Sequence, residues 1–212
     1  MSNAPDRPQA PPDARRKLLD SAMTVLRQRG FADTSVAELC AAAGVTKGAF
    51  FHHFSSKEEL GVAAARHWSE TTGALFAEAD YHLVADPAER VLGYIALRRA
   101  LLVGGTDEFS CVAGTLAQET HLTFPAIARE SGTAITAHAR TLEADIEAAF
   151  AARGIDPPPV SAASLALHTQ VVLQGAFVVV KATGEIEIAH DSLDHLERYL
   201  RCLLKMPEMP EE

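Results

Sequence analysis

Three observations predict an all-α fold. Apolar residues recur at helical spacing along almost the whole chain, Ser-x-x-Glu patterns and an Asp-Pro start mark helix openings, and a glycine stands where most of these periods lapse. The chain has 212 residues, 48% of them hydrophobic, which is the composition of an ordinary globular protein long enough for one sizeable unit or two small ones. About nine helices are expected.

Residues 1–12 hold four prolines and no apolar period, and are expected to be a disordered tail. From Asp13, Leu18, Leu19, Ala22, Met23 and Leu26 follow a helical period that Gly30 stops. Ser35-Val-Ala-Glu38 is a capping box: the serine accepts from a backbone N–H and the glutamate reaches back, opening a short helix that ends at Gly44. A third helix starts at Thr46. A second box, Ser56-Lys-Glu-Glu59, opens a longer fourth helix through Leu60, Ala64 and Trp68 toward Phe76.

Asp86-Pro87-Ala-Glu89 joins an N-cap, a first-turn proline and an acidic first turn, so a fifth helix should run to about Val103, before Gly104-Gly105. A sixth is expected over 107–118, and a long seventh from Pro125 to Arg153 with Ile135, Leu142, Ile146 and Phe150 on one face. After Asp156-Pro-Pro-Pro159 a nearly apolar eighth helix carries Leu165, Val172, Leu173, Ala176, Phe177 and Val180 up to Gly184. The last helix spaces Leu193, Leu196, Leu200 and Leu203 along one seam. The β-branched run Val171–Val180 favours a strand by propensity, but no partner strand exists elsewhere. A helix apolar on nearly all sides is expected where it is buried against both its own domain and another subunit. Leu165, Val172, Phe177 and the leucine seam are therefore the expected dimer interface, in a four-helix arrangement; packing within one chain is the alternative.

The net charge of −9 is unevenly spread. Residues 1–66 carry nine Lys/Arg against seven Asp/Glu, and residues 67–212 carry ten against twenty-one. Only the first third is basic, a weak pointer to a polyanion at that end. Cys40, Cys111 and Cys202 fit neither a disulfide framework nor a metal knuckle and read as small buried groups. No uninterrupted apolar run approaches the roughly 20 residues of a membrane span, and the N-terminus does not read as a signal peptide, so a cytoplasmic location is expected. Gly104-Gly-Thr-Asp-Glu-Phe109 has a threonine inserted where a cyclase signature would need none. No GxSxG, HExxH, P-loop or GxGxxG occurs, so neither an enzyme nor a cofactor is expected.

Ser35–Ala43, Gly44-Val45 and Thr46–Phe54 have the layout of a helix-turn-helix, whose second helix enters the major groove. Phe50 and Phe54, four apart, are expected in the core. Adjacent His52 and His53 point about 100° apart, and no third ligand has metal spacing, so no metal is expected.

GVTKGAFFHHFSSKEEL is similar to the recognition-helix segment of the TetR family of transcriptional repressors, whose usual pattern is close to GVSKGTLYHHFxSKExL. Gly30-Phe31, Thr34-Ser35-Val36 and Ala37–Gly44 extend the resemblance over about residues 14–62. It implies a DNA-binding domain over 13–62 and a ligand-binding and dimerisation domain over 63–206. It implies a homodimer that binds a palindromic double-stranded operator and leaves it when a small, partly apolar effector binds. The rival reading is an all-α ligand carrier or enzyme whose helix-turn-helix no longer binds DNA.

The expected DNA-binding residues are Ser35, Thr46, Lys47, Gly48, Phe51, His52, His53 and Lys57. Lys47 would meet a guanine edge or a phosphate, Lys57 a phosphate, and Thr46 and Gly48 allow close backbone approach. For His52 and His53, DNA contact and helix capping or packing stay equally open. Phe51 stands where the family usually has tyrosine, and Ala49 where threonine is frequent, so two hydroxyls are missing. Trp68, Tyr94, Phe109, Gln118, His121, Phe124, His138 and Gln174 are the expected cavity lining.

Overall fold

The computed structural model describes residues 13–207; the expected tail over 1–12 lies outside them. Among the described residues there are eleven α-helices, one 3-10 turn and no strand. The first four are α1 (Ala14–Arg29), α2 (Val36–Ala43), α3 (Lys47–His53) and α4 (Lys57–Ala77). Local signals set their ends. Asp13 caps α1 by accepting from the Arg16 N–H at 2.8 Å, and Gly30 ends it at φ 80°. The Ser35 box is complete: Ser35 Oγ accepts from Glu38 N at 3.2 Å and Glu38 Oε2 accepts from Ser35 N at 2.8 Å. Gly44 closes α2 in the left-handed region at φ 62°.

The second box is shifted. Ser56 Oγ accepts from Glu59 N at 3.1 Å, but the Glu59 carboxylate reaches one residue further back and accepts from the Ser55 N–H and hydroxyl, both at 2.7 Å. One more donor before the helix is satisfied by the same carboxylate.

A 3-10 turn over Asp80–Leu83 follows, then α5 (Pro87–Ala100), α6 (Thr106–Phe109), α7 (Val112–Thr120), α8 (Pro125–Arg140), α9 (Glu143–Ala152), α10 (Ala162–Thr183) and α11 (Glu187–Leu203). Two helices expected as single pieces are each divided. The first breaks at Ser110 and Cys111, both extended, with Cys111 Sγ accepting from Gly114 N at 3.3 Å as the cap of α7. The second breaks at Thr141 and Leu142, where the backbone ladder tightens to three-residue bonds and Thr141 Oγ1 donates to the His138 carbonyl at 2.8 Å.

Two buried clusters hold the chain together. The first joins Leu18, Leu26, Phe31, Leu39, Phe50, Phe54 and Leu60 of the head to Val112, Leu116 and Ile127 of α7 and α8. Full burial of each such side chain stabilises by about 1.5–3 kcal/mol. The contact is close at Gly61 of α4, where a Cβ would lie 2.6 Å from Ile127 Cδ1 and 2.8 Å from Phe31 Cε2. The second cluster packs α5, α9, α10 and α11 around Tyr94, Ile95, Ile146, Leu173 and Leu196.

Val171–Val180 is helical, because α10 buries a full face against those neighbours instead of pairing as a strand. By length and composition α10 is apolar enough to cross a membrane, with a mean hydropathy of 1.6, yet its inward face carries Gln170 bonded to Tyr94. The residues of the expected dimer seam are turned into the chain's own core, the alternative arrangement. Leu165, Phe177, Leu193, Leu196 and Leu200 are buried within the chain, and Val172 and Leu203 pack against the same core. The outward apolar face is formed by Leu167, Val171, Val178 and Val179, with Tyr199 of α11 beside it. Cysteine burial also differs: Cys40 is buried, Cys111 half-buried and Cys202 exposed.

Candidate nucleic-acid interface

α3 divides cleanly between core and solvent. Phe50 and Phe54 are 0% and 2% exposed, whereas Phe51 is 56% exposed. Consecutive helical residues turn by about 100°, so burying Phe50 and Phe54 drives Phe51 out. Thr46, Lys47, Gly48 and His52 are exposed with it, and His53 is half-buried. Ser35, also exposed, serves as the cap of α2. Thr46 is the cap of α3, its hydroxyl accepting from Ala49 N at 3.1 Å. The His52 and His53 rings meet edge to face at 4.9 Å, in the last turn, where the helix dipole favours positive charge.

Lys57 departs from the expected phosphate role. Its ammonium is turned inward, donating to the carbonyls of Phe31 and Thr34 at 2.9 Å each, and it stands 4.4 Å from the centre of the Phe31 ring. The amide side of the same turn is held by Glu119 of α7, whose Oε2 accepts from Phe31 N at 2.6 Å and Ala32 N at 3.1 Å. The α1–α2 turn is thus clamped between a cation and an anion from two distant helices. No local pattern marks Glu119 for this work.

Above the head a cavity of about 160 Å³ opens between α4, α5, α8 and α10. Of the eight residues expected to line it, Trp68, Phe109, His138 and Gln174 do. Tyr94 lies just behind the wall, fully buried, its hydroxyl accepting from Arg98 Nε at 2.8 Å and from Gln170 Nε2 at 2.7 Å. Gln118, His121 and Phe124 do not line it. Gln118 and His121 are exposed, and Phe124 stacks edge-on to Phe31 at 5.1 Å in the head core. Missed by the sequence are Arg98, Gln170 and Phe177, the last of which was expected at a subunit contact.

Arg98 Nη2 donates to His138 Nε2 at 2.6 Å. Burial, and then the neighbouring Arg98 charge, push the His138 pKa down to about 3, so its imidazole is neutral. Head and cavity are joined by side chains as well as by α4. Arg27 at the end of α1 lies over the Trp68 ring and donates to the Glu108 carbonyl at 2.7 Å, while Gln28 donates to Asp107 at 2.7 Å.

Residues 18–64 match the family profile of the bacterial regulatory proteins of the tetR family. The transcriptional repressor KstR2 of Mycolicibacterium smegmatis is 40% identical over 57 residues, 27% of this chain and 28% of that one. The transcriptional regulator BetI of Brucella anthropi is 34% identical over 86 residues, 41% and 44% of the two chains. The matches thus span less than half of either relative. Solved structures agree over far more of the fold. A regulatory protein TetR from Rhodobacter sphaeroides superposes with a TM-score of 0.74 at 21% identity, over 88% of this chain and 96% of that one. A TetR-family regulator from Agrobacterium tumefaciens gives 0.73 at 22%, over 87% and 96%.

Proposed function

We propose, from the premise that this chain carries a TetR-family head on a TetR-family fold, that it is a ligand-responsive transcriptional repressor acting as a homodimer in the cytoplasm. The observation that carries the reading is the division of α3. A two-turn helix whose buried face is locked by Phe50 and Phe54 leaves Lys47, Gly48, Phe51 and His52 as a rigid outward face for the major groove. Lys47 is its cationic contact, Phe51 an apolar one, and His52 a polar one. Lys57 supports this face by holding the α1–α2 turn rather than by meeting phosphate. Residues 13–62 act as the reading head and 63–206 as the regulatory and dimerisation part.

A second copy seats on the outward face of α10 and α11, around Leu167, Val171, Val178, Val179 and Tyr199. Two heads about 34 Å apart then meet successive major grooves of a palindrome. A small molecule in the cavity shifts α4, which carries both Trp68 and the Lys57 clamp, and so selects a dimer geometry that no longer fits the operator. The function is regulatory and not enzymatic.

The test is a gel shift with fragments from upstream of the protein's own gene. Retarded bands that weaken steeply as salt rises are expected. If no fragment is bound even at low salt, the repressor reading falls and the ligand-carrier reading takes its place.

A further inference from the structure

The geometry points to a small apolar carboxylate as the effector, with its charged end on Arg98 and its body against Trp68, Phe109 and Phe177. This rests on the regulatory reading of the cavity and adds the chemical class of what enters it. After residue 66 five arginines are half-buried: Arg90, Arg98, Arg99, Arg153 and Arg201. Four have a carboxylate: Arg90 meets Asp145, Arg99 meets Asp194, Arg153 meets Asp86 and Arg201 meets Glu197. Among the described residues Arg98 has none. Its bonds go to two neutral groups, the Tyr94 hydroxyl and His138 Nε2.

No Asp or Glu lines the cavity, and Arg98 is the one lining side chain with a formal charge. A half-buried cation without a counter-ion is poorly compensated, and an entering anion corrects that. The guanidinium is also held in place before any ligand arrives. It lies 4.3 Å from the Phe76 ring centre and 5.2 Å from that of Tyr94, and Nε and Nη2 are engaged, while Nη1 has no hydrogen bond among the described residues. A fixed fork facing a cavity suits a planar carboxylate. A phosphate monoester fits less well, since its second charge would stay unbalanced among apolar walls. The volume, about 160 Å³, is close to that of an apolar cavity known to hold one benzene-sized ring.

The full chain has a single tryptophan, Trp68, which lines the cavity, so its emission reports occupancy directly. Titration with 3-phenylpropanoate is compared with its neutral isostere 3-phenylpropanamide. The acid is expected to bind about tenfold more tightly or better. In Arg98→Gln the preference should vanish, with acid and amide binding alike, and in Arg98→Lys it should survive in reduced form. Equal affinity of the native chain for acid and amide, or no response to the acid at millimolar concentration, overturns the assignment. So does a preference that persists in Arg98→Gln. Should that variant fail to fold, the acid–amide comparison in the native chain decides alone. Operator binding is read separately: a chain that discriminates the acid but binds no DNA sinks the regulator reading only, and one that binds DNA without discriminating sinks this one only.

Discussion

The Arg27 guanidinium lies 5.4 Å from the centre of the Trp68 ring, joining the end of α1 to the cavity wall. Replacing Arg27 by leucine removes the cation over the ring and the bond to the Glu108 carbonyl, a loss of about 1–2 kcal/mol. We expect a lower melting temperature and an altered Trp68 emission. An unchanged spectrum would mean that the ring does not feel the head.

Gly30 has φ 80°, and a Cβ there would lie 2.7 Å from the Glu119 carboxylate carbon. Gly30→Ala therefore imposes backbone strain and makes the Glu119 carboxylate, which holds the next turn, give way. Destabilisation of about 1–3 kcal/mol is expected from denaturant unfolding. A variant as stable as the parent contradicts the left-handed backbone at Gly30.

Lys47 and Lys57 should part company. Lys47→Ala leaves stability within about 0.5 kcal/mol but weakens operator binding and lowers the salt slope by about one. Lys57→Gln instead costs about 1–3 kcal/mol of stability, because it removes charge-assisted bonds to two carbonyls. Unfolding curves beside salt-dependent gel shifts separate them, and the opposite pattern would reverse the two assignments.

Phe51→Tyr adds a hydroxyl to a ring that is already largely outside the core. Stability should hardly move, while operator affinity rises by roughly 1 kcal/mol, about fivefold, through one phosphate hydrogen bond. Unaltered affinity would show that the ring does not face the backbone.

His138 makes stability depend on pH in a defined direction. It is neutral when folded, with a pKa pushed down to about 3, while the unfolded chain takes up a proton near 6.5. The unfolded state thus binds more protons, and stability falls as pH drops from about 6.5 toward 3, by up to about 1.4 kcal/mol per unit. The clean window is above pH 4.5, before the carboxylates held low by their hydrogen bonds, Glu38 and Glu59, join the same trend. His138→Gln should flatten the slope there. Equal slopes in both proteins would rule out a neutral buried imidazole.

The head was legible because its signals are local. A serine three residues before a glutamate, a glycine at a left-handed turn and phenylalanines four apart each declare themselves within one turn of chain. Lys57 was misplaced for the converse reason: its partners, Phe31 and Thr34, lie 26 and 23 residues away. Arg98 sits in the last turn of α5, where an arginine ordinarily reads as a solvated complement to the helix dipole. Only the approach of His138 and Gln170 from α8 and α10 makes it a cavity residue. On α10 both faces are apolar, so periodicity could not say which points outward; the break at Thr141 carries neither proline nor glycine to announce it.

The outward face of α10 has a consequence for where and when this protein exists in folded form. Were a second copy seated on Leu167, Val171, Val178 and Val179, as proposed above, folding and pairing would share one equilibrium. Dilution would then act as a denaturant, each tenfold step removing about 1.4 kcal/mol from the pair. A regulator held at a few copies per cell would be a more fragile object than the same chain in a purification tube, and its abundance would become part of its stability.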